Sequence, residues 1–215
     1  SMLSKKKNID MFLLGFKKKL TEYDEKVVVN KEKKILDHKQ FIKHFNEIFS
    51  QNEFNVPWNR IIKRSVITTN NIKFDIQMKT GEDALFNCKL VKYVQKIYII
   101  NKPLYMYNLF YSKQIKKYDP ELRFNLLKLN KALKYLVISQ NINSSFFENK
   151  YERMNYTLLA NLAQKYNRYY EFKKQINTEL LSYTKIKFFK LGRKEKIFFL
   201  LLKFNYVGYL LAKKR

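Results

Sequence analysis

Cysteine, glycine and proline are almost missing from this chain, and acidic residues are outnumbered more than two to one by basic ones. The 215 residues include one Cys, four Gly and three Pro, with 18 Asp or Glu against 44 Lys or Arg. A lone Cys88 excludes an internal disulfide, so a reducing, intracellular setting is the simpler expectation. No Cys or His stands at ligand spacing from it, and it reads as a core residue. His38 and His44 are six apart, which matches no common pairing of metal ligands on one helix face, so they read as ordinary surface or groove residues and no metal site is expected. No stretch reaches the ~18 apolar residues of a spanning helix. The start "SMLSKKKNIDMFLLGFKKK" is basic, but Asp10 and Gly15 leave an apolar run too short for a signal-peptide core. No internal repeat or low-complexity linker is present.

What the chain does have is apolar bulk and positive charge. Hydrophobic residues make up 46%, with 18 Phe and 16 Tyr, enough for a real core. The formal charge of +26 points to a polyanion: nucleic acid, an anionic membrane surface or phosphorylated substrates. Abundant Lys, Asn, Ile, Phe and Tyr all have AT-rich codons, so a low-GC genome explains part of the excess. Clustering is not explained that way. Tyr183–Arg215 holds ten Lys or Arg against one Glu.

Periodicity divides the chain into a mixed α/β part, residues 1–118, a helical part, 119–182, and the basic segment 183–215. "SMLSKKKNID" reads as a helix end, and "MFLLGF" (Met11–Phe16) as a buried-type strand. "KVVVN" (Lys26–Asn30) reads as a second strand. "DHKQFIKHFNEIFSQ" has helical spacing with Asp37 as its N-cap. A short β-branched segment then leads to a brief helix over 64–70. "GEDALFNCKLVKYV" reads as an amphipathic helix, and "QKIYIINKPLYMYN" as two strands broken at Pro103. "ELRFNLLKLNKALKYLVISQ", with Pro120 in its first turn, and "SSFFENKYERMNYTLLANLAQKYNRYYEF", capped near Ser144 or Ser145, read as two long helices. So few strands could hardly supply neighbours on both sides of Met11–Phe16, so the α/β part reads as a portion of a larger fold.

The segment "NVPWNRIIKRSVITTNNIKFDIQMKTGEDALFNCKLVKYVQKIYIINKPLYMYN", Asn55 to Asn108, resembles the second half of the catalytic domain in family 2 glycosyltransferases of the GT-A fold. These bacterial enzymes build capsule, lipopolysaccharide and related surface glycans. The ordered features are a Trp-Asn-basic segment, a short helix, "IKFD", Gly-Glu-Asp followed by Phe and Asn, then "KIYIINKPLYMY". With "NIDMFLLGFKKK" upstream, the resemblance covers roughly Asp10 to Asn108. It implies an α+β protein: an incomplete GT-A-like α/β portion followed by a mostly helical region. It also implies that Asp83 is the general base of an inverting transfer, that Glu82 positions the acceptor or nearby loops, and that Trp58 and Asn59 shape the acceptor side of the cleft. The family's donor half carries an Asp-x-Asp motif whose carboxylates hold a divalent metal on the nucleotide diphosphate. This chain has no Asp-x-Asp and no glycine-rich phosphate loop, and Asn108 stands where relatives often carry Arg. The resemblance therefore implies no cofactor in this chain, with Mg or Mn and a nucleotide-sugar only in the complete enzyme, and an isolated chain that is inactive.

Other readings of the same residues stay open. Gly-Glu-Asp before Ala-Leu-Phe also describes a well-started helix, whose dipole favours acidic residues by a few tenths to ~1 kcal/mol. Trp58 after Pro57 could equally fill a core. A non-catalytic basic protein, binding nucleic acid or scaffolding a membrane-associated assembly, is the alternative of another class; nucleic acid is disfavoured because no recognised binding motif is present. Tyr183–Arg215 is suited to lying in an anionic headgroup region, which would make the protein cytoplasmic and peripheral on the inner face of the cell membrane. The alternative is a helix docked on the rest of the chain.

Overall fold

The structure, a computed structural model, describes residues 8–19, 21, 23–31, 34–49, 53–108, 118–166 and 169–179. It has mixed α and β content in two compact units: Ser1–Lys113 with Tyr135–Asn143, and Gln114–Lys134 with Ser144–Arg215. Of the helix end expected over residues 1–10, residues 1–7 lie outside the described residues and Asn8–Asp10 are not helical; the basic segment Tyr183–Arg215 also lies outside the described residues. No helix among the described residues is long and apolar enough to cross a membrane.

The first unit is built on a five-stranded mixed sheet. Strand β1 (Met11–Lys19) is central: β2 (Glu25–Val28) and β4 (Arg60–Ile62) pair antiparallel with its two halves, and β5 (Lys96–Asn108) runs parallel to it. Strand β3 (Lys34–Asp37) pairs antiparallel with the first part of β5. The neighbours expected to be lacking around Met11–Phe16 are thus supplied by the chain itself. β3 was not legible because its four residues alternate only weakly and run straight into a helix. Asp10 ties the strand entries together. Its carboxylate accepts from the backbone N–H of Gln95 at 2.9 Å and of Lys96 at 3.1 Å, and its carbonyl accepts from Lys63 N–H at 2.8 Å.

The expected break at Pro103 is not there. β5 is one continuous strand, because Pro103 sits opposite Gly15 at a double register shift and on a stretch of β5 that β3 does not reach. A proline is tolerated where no ladder partner needs its N–H. Gly15 makes the crossing possible. A Cβ there would lie 2.8 Å from the Lys102 carbonyl oxygen and 2.5 Å from a Val29 methyl group. Gly15→Ala is therefore expected to destabilise the fold by about 1–2 kcal/mol, the overpacking exceeding the gain from a stiffer unfolded chain. A urea midpoint equal to or above the parent's would contradict this.

Helix α1 (His38–Lys43) begins as expected. Asp37 accepts from Gln40 N–H at 2.8 Å, and the Gln40 side chain accepts from Asp37 N–H at 3.1 Å. The long helix expected here is broken at His44, after which α2 (Phe45–Ile48) continues. Phe41, Phe45, Phe49 and Phe54 form an edge-to-face cluster. His38 is no loose surface group: Nδ1 lies 2.8 Å from the Val94 carbonyl and Nε2 2.9 Å from Gln140 Oε1, joining three chain segments of this unit. Helix α3 (Arg64–Thr69) matches its expected span to one residue. Helix α4 (Glu82–Val91) is not amphipathic: from Ala84 to Val91 only Lys89 escapes burial, Cys88 included. A helix apolar on every side belongs inside a domain.

In the second unit, α5 (Leu122–Ser139), whose last turn belongs to the first unit, precedes α6 (Ser145–Lys165) and α7 (Tyr169–Glu179). One helix was expected where α6 and α7 stand. At Tyr166 the backbone turns extended, with φ −96° and ψ 133°, ending α6. Asp119 and Asn161 exchange two hydrogen bonds of 2.8 Å, fixing the entry of α5 against α6.

Candidate active site

The site is built from two segments of the first unit, residues 54–60 and 71–87. Gly81, the N-cap of α4, has φ 84°, a left-handed conformation that glycine adopts without steric cost. It lets the chain turn sharply into the helix, so Glu82 and Asp83 occupy the first turn. The loop leading to Gly81 is pinned to α4. Phe74 stacks on Phe86 at 4.3 Å and 8°, Met78 is buried, and Lys89 Nζ donates to the Lys73 carbonyl at 3.1 Å.

One turn along the same face from Asp83 lies Asn87, fully buried. Its amide nitrogen donates to the carbonyls of Phe54 at 2.6 Å and Val56 at 3.4 Å. That clamp carries the chain from the 3₁₀ turn Glu53–Asn55 into Trp58, Asn59 and Arg60. In the sequence Asn87 is only the last residue of the Gly-Glu-Asp…Phe-Asn motif; an Asn four residues after an acidic helix start is the signal for such a clamp.

Asn59 is fully buried. Its side-chain oxygen accepts from Arg60 Nε at 3.0 Å, and its carbonyl accepts from Leu14 N–H at 2.8 Å. Arg60 is itself buried, its guanidinium 5.7 Å from the Phe49 ring centroid. This buried cation, in sequence only one of many basic residues, is the positive charge felt by Asp83. Burial pushes the Asp83 carboxyl above its ordinary value, the neighbouring Glu82 charge pushes it further, and Arg60 pulls it back. Among the described residues no donor is hydrogen-bonded to the Asp83 carboxylate, so the helix start does not depress its pKa as an N-terminal position alone would suggest.

Trp58 is half-buried within an aromatic group. It meets Phe16 edge-on at 4.8 Å and lies nearly parallel to Tyr105 at 4.5 Å and Tyr107 at 4.8 Å. The two tyrosines are two apart on β5 and so share a sheet face. The structure thus couples Asp83, Glu82 and Arg60 electrostatically, places Asn59 behind Arg60, and sets Trp58 two residues away on an aromatic platform. Among the described residues no three His, Cys, Asp or Glu side chains gather as metal ligands. No family model matches the chain, and no curated protein matches it in sequence.

Proposed function

We propose that this chain supplies the acceptor side of a glycosyltransferase of the GT-A type. The complete enzyme would move a sugar from a nucleotide-sugar to a glycan or lipid-linked acceptor in surface polysaccharide synthesis. The observation that carries the reading is the Asp83 carboxyl, raised by burial and by Glu82 yet held beside the buried Arg60 cation. A base works best when its affinity for a proton is increased without losing the ionised form, and correct positioning typically contributes ~10²–10⁴-fold. Asp83 takes the proton of the acceptor hydroxyl as that oxygen bonds to the anomeric carbon. The bond from that carbon to the diphosphate breaks with inversion, the electron pair leaving with the phosphate. Glu82 orients the acceptor, Trp58 and its tyrosines border it, and Asn59 acts through Arg60. A location on the inner face of the cell membrane, reached through Tyr183–Arg215, belongs to the same proposal.

The ordered resemblance from Asp10 to Asn108 supports this reading, and the mixed sheet with α4 beside it is compatible with it. The sequence carries no Asp-x-Asp motif to hold a metal on a donor diphosphate. Calorimetry with UDP-, GDP- and CMP-sugars plus Mn²⁺ is accordingly expected to give no micromolar binding to this chain alone. Micromolar affinity for any of them would overturn the division into donor and acceptor sides.

A further inference from the structure

The second half of the sheet has two differently charged faces. Side chains alternate along each strand, so Lys17 and Glu25 point one way while Phe16, Lys18, Val28 and Lys26 point the other. On the first face Lys17 is neutralised by Glu25 at 2.6 Å. On the second, Lys18 and Lys26 stand directly opposite each other on neighbouring strands. Neither has an ion-pair partner among the described residues. Like charges placed so oppose strand pairing, and the arrangement becomes favourable when an anion sits between them.

The same face carries the aromatic group. Lys18 pairs in register with Tyr107 and Phe16 with Tyr105, and both tyrosines lie against Trp58. Lys18 Nζ is 5.4 Å from the Phe16 ring centroid, so its stem is laid along the aromatic surface and its charge is held there. Tyr105 is 38% exposed and Lys26 is open to solvent, which leaves room for a ligand on this face.

We infer that this face binds a saccharide bearing a phosphate, the phosphate between Lys18 and Lys26 and the sugar ring against the exposed side of Tyr105. Sugar rings present C–H faces to aromatic side chains, while a phosphate takes charge-assisted hydrogen bonds from lysine. The inference deepens the transfer reading by naming the acceptor's chemical class, and in that respect rests on it. The binding itself is measured without turnover, so its failure leaves the role of Asp83 standing, and the reverse also holds.

The chain contains a single tryptophan, so Trp58 emission reports on this face directly. Titrating the full chain with glucose 6-phosphate is expected to change that emission saturably, below about 10 mM. Glucose and inorganic phosphate, each offering half of the ligand, should bind at least ~tenfold more weakly. The pair Lys18→Gln with Lys26→Gln, the first half-buried and the second exposed, should weaken glucose 6-phosphate at least ~tenfold without altering the fold, and added salt should weaken it progressively. The methyl phosphodiester of the same sugar distinguishes a chain-internal phosphate from a terminal one; binding of either form supports the site. Inorganic phosphate binding as tightly as the sugar phosphate would leave the aromatics without a part and overturn the inference. Unchanged affinity in the double lysine variant would do the same, as would absence of any saturable change. A lysine-dependent preference for UDP-glucose or for a single-stranded oligonucleotide would reassign the face and equally overturn it.

Discussion

Asp83→Asn, on the proposed reading of a complete transferase, is expected to lower kcat at least ~10²-fold while leaving donor affinity nearly intact, because the acceptor hydroxyl would lose the group proposed to accept its proton. The same change is expected to make the fold more stable at neutral pH. Burial first, and the Glu82 charge second, raise the Asp83 carboxyl above its unfolded value, and Arg60 only partly offsets them. Between the unfolded and folded pKa values the folded chain therefore holds more protons than the unfolded one. Stability contributed by the protonated form is present below the unfolded pKa and is lost as pH rises through the folded pKa. At neutral pH the ionised carboxylate is a net cost, which the amide does not carry. Urea midpoints should thus favour Asp83→Asn at pH 7, and the advantage should vanish near pH 3. An ordinary helix-start aspartate gives the opposite sign, with Asn costing up to ~1 kcal/mol at pH 7 and turnover unchanged. Reduced stability with normal turnover would return Gly-Glu-Asp to the role of a helix start.

Asn87→Leu, which keeps the side chain's bulk, is expected to destabilise the fold by about 2–4 kcal/mol. Loss of the Asn87 hydrogen bond to the Phe54 carbonyl costs about 1–3 kcal/mol, and loss of the longer contact to Val56 adds a smaller amount. The effect should not be confined to stability. The clamped segment leads directly into Trp58 and Arg60, so Trp58 emission should shift and the Asp83 carboxyl should lose part of the Arg60 influence that lowers it. Wild-type emission together with a wild-type urea midpoint would show that Asn87 does not hold this segment.

Both variants concern residues visible in the primary structure, and the two differ in how far sequence alone could take them. Asp83 stood out because two adjacent carboxylates in a basic chain follow a glycine and precede an apolar run. Its helix-start position is a local property, and Gly81 with φ 84° bears it out. The direction of its pKa is not local. It follows from how much of the α4 start is covered and from a guanidinium more than twenty positions earlier in the chain. Asn59 illustrates the same limit. The resemblance places it on the acceptor side of the cleft, and the structure adds that its side chain is fully buried against Arg60.

The amino-acid sequence by itself determined the features that short-range physics can enforce. The Asp37 capping box, the strand character of Met11–Phe16, the brief helix before Asn70, the start of α4 and the mixed α and β character all depend on contacts within a few residues. Tertiary structure decided what depends on partners distant in the chain. Pro103 could remain inside a strand because Gly15 allowed the backbones to approach and β3 stopped short. Met11–Phe16 became a central strand because β2, β4 and β5 converge on it from both sides. Arg60 became a buried neighbour of Asp83 because Asn87 holds the 54–60 segment to α4. In each case the deciding quantity is desolvation or close packing between residues far apart in sequence, which no local pattern of residues records.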